Sequence, residues 1–371
     1  MSKWEMVRLG DIVDIINGRS HRAVANPKGT YPIYGSGGII GYADDYICEK
    51  NTVVIGRKGT INSPIYVEEP FWNIDTAFGL RPNESRMFPK YLYYFCEKFD
   101  FEKINTTVTI PSLTKSNLSK MQIPLPPLSI QQKIADVLDR ASALIEKRKT
   151  QIEKLDLFAK AKFIEMFNGE QYPLVRLEDI CDFITKGTTP PINRITNTIT
   201  KTSIPYIKVY NLSDNGELHF YEEPQYIDIE THNSLLARSK VFPEDVLMNI
   251  VGLPLGKFAL VPNDFAEWNI NQAVAIFRSM GKVLPIYLMY AMMKPDVLRP
   301  FLDKAVGIRQ VNLSLKQCRE LEIPLPPLEL QSRFVDFAYA INKSRLGLQC
   351  GLDELEMFFK SLVQRCFKET K

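Results

Sequence analysis

Apolar positions recur along this chain at two different periods, and the switch between them happens twice. Through 1–128, short β-branched and aromatic runs alternate with Gly, Pro, Asn and Asp, the pattern of short strands joined by turns. Asn51-Thr52-Val53-Val54-Ile55-Gly56 and Ser63-Pro64-Ile65-Tyr66-Val67 read as strands flanking a basic turn, Arg57-Lys58-Gly59-Thr60. Pro89-Lys90-Tyr91-Leu92-Tyr93-Tyr94 reads as a helix start, with proline in the first turn where its missing N–H costs nothing. Beyond Pro126-Pro127, which no helix can run through, the pattern changes. Ser129 stands three residues before Gln132, as in a capping box, and neither Pro nor Gly interrupts 129–167. Leu138, Ile145, Ile152, Ala159 and Met166 recur every seventh residue, with Ile134, Ala141 and Leu155 on the adjoining stripe. Asn168-Gly169 supplies a C-terminal stop. The spacing predicts a helical rod of about 58 Å at ~1.5 Å per residue.

The pattern then repeats. Val7-Arg8-Leu9-Gly10-Asp11-Ile12 returns as Val175-Arg176-Leu177-Glu178-Asp179-Ile180, and Trp72-Asn73-Ile74-Asp75-Thr76-Ala77 as Trp268-Asn269-Ile270-Asn271-Gln272-Ala273. Pro89 to Tyr94 returns as Pro285-Ile286-Tyr287-Leu288-Met289-Tyr290, and Ile123-Pro124-Leu125-Pro126-Pro127-Leu128 returns unchanged as Ile323-Pro324-Leu325-Pro326-Pro327-Leu328. The copies stand 168 residues apart at the first motif, 196 at the next two and 200 at the last, so the second copy is longer mainly near its start. Asp245-Val246-Leu247-Met248-Asn249-Ile250-Val251, leading to Gly252, Gly256 and Lys257, is its strand-and-turn.

The second tail carries Phe334, Ile341, Leu348, Leu355 and Leu362 at the same sevenfold spacing, widened by Phe337, Leu352 and Phe358, with Gly347 and Gly351 weakening its middle. A helix with one apolar stripe needs a partner, and each tail finds one in the other. Antiparallel pairing would set two globular units at opposite ends of a rod, related by a pseudo-two-fold axis. The expected fold class is α+β: similar domains at 1–128 and 169–328, each followed by a long helix, at 129–168 and 329–371.

Composition narrows the chemistry. The 371 residues hold 46 Lys and Arg against 43 Asp and Glu, a balance that leaves nucleic-acid binding to be decided by where the charge sits. Six scattered cysteines without a Cys-x-x-Cys pair, and only three histidines, argue against structural zinc and for reduced thiols in a cytoplasmic protein. No apolar leader opens the chain and no run of about 18 apolar residues occurs, so no membrane partner is expected. No Gly-x4-Gly-Lys-Ser/Thr phosphate loop appears, and Tyr34-Gly35-Ser36-Gly37-Gly38 lacks the strand-then-helix setting of a dinucleotide site. None of the three Pro-Pro pairs forms the Asn/Asp-Pro-Pro-aromatic tetrapeptide of an amino-methyltransferase, and His21, His219 and His232 have no metal-like spacing. No catalytic residue and no metal site are expected. The Pro-x-x-Pro exits, standing at both domain-to-helix junctions, read as rigid hinges rather than peptide ligands.

Val-Arg-Leu-x-Asp-Ile opens each unit, Ile-Pro-Leu-Pro-Pro-Leu closes it, and Gln131-Gln132-Lys133-Ile134 or Gln331-Ser332-Arg333-Phe334 begins the helix that follows. In this order of parts the chain resembles the specificity subunit of type I restriction-modification enzymes over essentially its full length. Gly35-Ser36-Gly37-Gly38-Ile39-Ile40-Gly41-Tyr42, Ile55-Gly56-Arg57-Lys58-Gly59 and Phe71-Trp72-Asn73-Ile74-Asp75 resemble one common class of that family's target-recognition domains. The resemblance implies a non-catalytic subunit in which each domain reads half of a bipartite double-stranded DNA target and the rod fixes the unread spacer. It also implies two modification subunits docked on the helical region, bringing S-adenosylmethionine and adenine-N6 methylation, and restriction subunits that use ATP and Mg2+. This chain would hold no cofactor itself. Charge nearly balances between Tyr172 and Ile323, which implies weak DNA affinity for the second domain alone.

Major-groove readout uses Arg or Lys for guanine and Asn or Gln for adenine, while phosphates take Lys, Arg, Ser and Thr. The candidates in the first domain are Arg19, Arg22 and Lys28 in the early loop, Ser36 in the glycine-rich turn, and Arg57, Lys58 and Thr60. Thr106, Thr107 and Thr109, ending near Lys115, offer a phosphate-binding stretch. In the second domain the candidates are Lys186, Thr188, Arg194, Lys208, Asn211 and Lys257, then Arg309, Gln310, Asn312 and Lys316. Trp72, Trp268, Asn73 and Asn269 recur in both copies, which favours a shared structural role, because base readers should differ when half-sites differ. The competing readings are an enzyme acting alone and a coiled-coil interaction scaffold without DNA readout.

Overall fold

A computed structural model describes residues 4–105, 107, 110–168, 172–306 and 311–367. The chain forms two compact units, Met1–Lys149 with Gln349–Lys371, and Thr150–Leu348. Each long helix is thereby divided, and each unit owns a part of both.

The first unit runs through β1 (Met6–Arg8), β2 (Val13–Asn17), β3 (Tyr31–Gly35), β4 (Gly38–Ala43), β5 (Thr52–Gly56), β6 (Ile65–Val67), β7 (Trp72–Asn73) and β8 (Ala77–Pro82). Then come α1 (Pro89–Lys98), α2 (Lys115–Lys120), β9 (Gln122–Pro124) and the start of α3 (Leu128–Phe167). One sheet has the order β2-β8-β5-β6 and another the order β4-β3-β7. The continuous apolar run in β5 follows from its place between layers. Val53 and Ile55 pack toward Tyr91, Leu92 and Phe95 of α1, while Val54 packs toward Tyr34 and Phe71 on the other side. The strand–basic turn–strand expectation holds, with Thr52 opposite Val67.

The second unit contains the remainder of α3, then β10 (Leu174–Arg176), β11 (Cys181–Lys186), β12 (Ile195–Thr196), β13 (Ile204–Ile207), β14 (Tyr226–Ile227), α4 (Ile229–Asn233), β15 (Lys240–Val241), β16 (Val246–Asn249) and β17 (Phe258–Leu260). It continues with β18 (Trp268–Ile270), β19 (Val274–Ser279), α5 (Pro285–Met293), α6 (Pro295–Leu302), α7 (Leu315–Arg319), β20 (Glu322–Pro324) and α8 (Leu328–Cys366). Its main sheet, β11-β19-β16-β17, repeats the first unit's, with Val246 and Met248 toward the helices and Leu247 toward the second sheet. The longer second copy adds β12 and β15 at the edges of that second sheet, giving the order β12-β14-β13-β18-β15, in which β14 pairs antiparallel with β13 as β4 does with β3.

The repeated motifs prove to be parts of one joint. Val7 pairs with Ile123 in β1–β9, and Val175 with Ile323 in β10–β20, so opening and closing motifs form one ladder in each unit. The Tyr91 hydroxyl donates to the Pro124 carbonyl at 2.8 Å, and Tyr287 to Pro324 at 2.8 Å. The buried Gln131 amide accepts from Phe88 N and donates to the Arg86 and Pro126 carbonyls. Gln331 repeats this with Leu284 N and the Lys282 and Pro326 carbonyls. The Pro127 carbonyl accepts from Ile130 N and Gln131 N, so α3 opens at Leu128 and Ser129 lies inside its first turn, not at a cap as its spacing from Gln132 suggested.

Within the second unit, Phe163 and Phe167 near the end of α3 pack on Phe334 and Ala338 near the start of α8. Within the first, Val363 and Phe367 pack on Ala135 and Leu138 near the start of α3. Both contacts require antiparallel helices. The expected seam is buried at Leu138, Ile145, Ala159 and Phe334 and half-buried at Ile152, Ile341, Leu348, Leu355 and Leu362. Phe358, expected to widen the seam, is 58% exposed, because the buried stripe of α8 passes through Leu352 and Val363 instead. Gly347 and Gly351 do not interrupt the helix. A charge also lies in the seam: Arg345 is buried, donating to Glu217 and Asn342 and standing 3.9 Å from Asp156. Burial lowers its pKa, with Asp156 opposing, and a buried ion of this kind restricts which residues can face it.

His232, fully buried in the second unit, accepts at Nδ1 from Asn269 Nδ2 (3.0 Å) and donates from Nε2 to Glu267 (2.9 Å). Burial lowers its pKa from 6.5 against the pull of Glu267. The unfolded chain takes a proton near pH 6.5 while the folded ring resists it, so this contribution is complete above about pH 6.5 and declines as pH falls. Thermal melts are expected to show the second unit weakening below about pH 6.5, a dependence that His232→Gln removes.

Candidate nucleic-acid interface

In the first unit several loops meet at one end of the main sheet, where β2 and β5 finish and β8 begins. Gly18 N donates to the Ala77 carbonyl, and Arg57 N and Lys58 N both donate to the Thr76 carbonyl, at 2.7 and 3.4 Å. The basic turn is stitched to the segment before α2, with Gly59 N donating to Pro111, Leu113 N to Arg57, and Lys58 bridging Ser112. Asn105 holds that segment, its Oδ1 accepting from Thr107 N and Ser112 N. Gly56 is required by crowding: a Cβ there would lie 1.9 Å from the Thr60 carbonyl oxygen and 3.0 Å from Ser36 Cβ. Arg19, Ser36, Arg57, Lys58, Thr60 and Thr107 therefore belong to one set of adjoining loops. Arg19, Lys58, Thr60 and Thr107 are exposed; Arg57 is half-buried, its guanidinium 5.6 Å from the Phe78 ring centroid.

Other first-domain candidates lie elsewhere. Arg22 and Lys28 belong to a loop held on β4 by an Ala25–Ala43 bridge and by Asn26 N donating to Tyr42. Lys115 is a correction: its ammonium donates to the Ile15 carbonyl at 2.6 Å, the strand-anchoring place that Arg319 takes at Ile184. Thr106 and Thr109 lie outside the described residues.

The second unit builds the same joint with the same backbone bonds. Gly187 N donates to Val274, Ile250 N to Ala273, Leu313 N to Ile250 and Gly252 N to Val311, while Val251 bridges Asn312. By these bonds the counterparts of Arg57 and Lys58 are Ile250 and Val251. Lys257 is half-buried at the loop's far end, where its N–H donates to Asn249 Oδ1, so it does not stand where the first unit carries its basic turn. Lys186 and Asn312 line one open cleft with Val251, Val306 and Gln272. Gln272, exposed and of a type suited to adenine, was missed because it lies inside a motif that looked wholly structural.

Asn211 is a further correction: it is 1% exposed, its amide taken by Lys208 N and the His219 carbonyl, so it cannot reach a base. The Arg194 guanidinium lies 3.4 Å from Glu230 and 3.6 Å from Asp228, held by carboxylates on α4 and at its cap. Thr188 accepts from Arg238, an exposed cation the sequence did not single out. Lys208 is half-buried, and Lys316 is exposed beside Glu320, a surface pair that leaves it available. Arg309 and Gln310 lie outside the described residues.

Trp72, Trp268, Asn73 and Asn269 are buried and structural. Asn73 accepts from Cys48 Sγ and donates to the Ala77 carbonyl, holding the turn that receives the basic loop. Burial pushes the Cys48 thiol up to about 12, so it remains a donor. Asn269 accepts from Ser239 in the equivalent place. Among the described residues no group of His, Cys, Asp or Glu has a metal-binding arrangement, and no helix is long and apolar enough to cross a membrane.

Two copies of one α+β domain, each presenting a like set of loops at a sheet end and each leading into a long helix, define a duplicated recognition protein. The type I restriction modification DNA specificity domain matches residues 1–155 and again 170–345. The chain is 26% identical to the EcoBI type I restriction enzyme specificity subunit of Escherichia coli, over 84% of this chain and 72% of that one. It is 23% identical to a putative type I specificity subunit of Haemophilus influenzae, over 95% and 92%. In fold it is similar to a type I restriction-modification S subunit from M. genitalium, with a TM-score of 0.59 at 16% identity over 100% and 97% of the two chains. The chain belongs to the family of type I restriction-modification DNA specificity subunits, which recognise DNA sequence, assemble with other subunits of their systems and are not themselves catalytic.

Lys58→Ala is expected to weaken DNA binding by the assembled complex and to reduce the slope of log affinity against log salt by about 1, the mark of one lost phosphate contact. Unchanged affinity and slope would remove this turn from the interface.

Proposed function

We propose that each unit reads one half of a bipartite double-stranded DNA target and that α3 and α8 set the length of the unread spacer. The observation that carries this reading is the shared joint: in both units the same backbone bonds bring a strand-end loop and the segment before α2 or α7 together. The side chains on that joint differ between the copies, as two different half-sites require.

Two modification subunits, carrying S-adenosylmethionine for adenine-N6 methylation, dock on the helices, and restriction subunits add ATP- and Mg2+-dependent cleavage; this chain binds none of these cofactors itself. Support for two docking positions comes from exposed apolar pairs, Leu157-Phe158 on α3 and Met357-Phe358 on α8, which stand 200 residues apart like the helices themselves. The DNA-binding set comprises Arg19, Ser36, Arg57, Lys58, Thr60 and Thr107 in the first unit and Lys186, Gln272, Asn312 and Lys316 in the second. Hydroxyl-radical footprinting of the methyltransferase complex on its own target is expected to give two protected patches flanking an accessible spacer. One continuous patch, or protection indifferent to sequence, would overturn the reading.

A further inference from the structure

The shared joint makes the two readers comparable residue by residue. Gly59 N donates to Pro111 at 3.1 Å with φ +80°, and Gly252 N donates to Val311 at 2.9 Å with φ +84°. Arg57 and Ile250 each accept from the leucine that follows, Leu113 or Leu313, at 2.9 Å. Lys58 and Val251 each bridge the residue between, Ser112 or Asn312. Thr60 is thereby the counterpart of Leu253. The first unit offers the sequence Arg-Lys-Gly-Thr at this place, and the second offers Ile-Val-Gly-Leu.

Leu253 is 79% exposed, in a loop whose geometry is fixed from within. The buried Asn249 donates from Nδ2 to the Pro254 carbonyl (2.7 Å) and accepts Lys257 N at Oδ1 (2.6 Å), spanning the loop base. Val306, paired to Asn312 through its backbone, is a second exposed aliphatic side chain at 70%. Lys186 lines the same cleft as Val251 and Val306 and supplies positive charge. A well-held, exposed leucine two residues beyond Val251 of that cleft, on a loop proposed above to face DNA, suits the one apolar group on a major-groove edge, the C5-methyl of thymine.

We propose that Leu253 reads a thymine methyl in the half-site recognised by the second unit, at the place where the first unit carries Thr60. The inference rests on the half-site reading above and adds a base identity to it. Removing one buried methyl contact costs roughly threefold to tenfold in affinity.

The test uses the assembled methyltransferase complex and a duplex library randomised in both half-sites. The library is prepared once with thymine and once with deoxyuridine, which lacks only the methyl. Expected is a thymine in the second half-site whose replacement by uracil weakens wild-type binding about threefold to tenfold. In Leu253→Ala, whose exposed site leaves the melting temperature unchanged, that penalty disappears while first half-site preferences stay as they were. Equal selection of thymine and uracil by the wild-type complex, or a uracil penalty that persists in the variant, overturns the proposal. A library without any preference in the second half-site overturns the half-site reading, and the proposal with it.

Discussion

Neither repeat closes its own core. The apolar stripe of a long helix must be covered, and in each unit the covering comes from the other repeat's helix. Phe367 packs on Tyr91 with ring centroids 4.9 Å apart, and Phe167 packs on Tyr287 at 5.0 Å. Each such phenylalanine contributes about 1.5–3 kcal/mol by burial, a large share of what holds a domain of this size together. Val363 joins Phe367 in the first unit and Phe163 joins Phe167 in the second. The Gln131 and Gln331 amides then lock the start of each helix to the domain preceding it.

From that constraint follows the placement of the loops at the end of each main sheet. A main sheet held rigidly under α1 or α5 ends in the same set of backbone bonds, and the residues emerging there are free to vary because the bonds are made by the chain itself. Arg57-Lys58 in one copy and Ile250-Val251 in the other are alternative fillings of one frame. The side chains at these positions can change without disturbing the fold, whereas Asn73 and Asn269, buried one layer below, cannot change so freely.

The joint was legible in the sequence because it is built from repeated segments. Four recurring motifs marked the duplication, and both prolines and sevenfold spacing marked the helices. What sequence could not give was the destination of each polar side chain. Asn211 and Lys115 have the composition of DNA contacts, yet burial claims one and a strand carbonyl the other. Arg345 broke the apolar pattern and carried no sign that Glu217 would partner it from a distant loop. Equating Lys257 with the basic turn failed because Lys257 stands at the far end of its loop, and only the backbone bonds align the copies correctly. Phe358 fitted the widened stripe by spacing but faces solvent.

Hydrogen exchange on a chain ending at Leu348 measures the central dependence most directly. The account requires amides of the first unit's core, such as those of Ile123 and Tyr91, to lose their slow exchange and to regain it when a peptide of residues 349–371 is added, while those of the second unit's main sheet stay protected. Full protection of the first unit without those residues would contradict the claim that each reader is completed by its twin's helix.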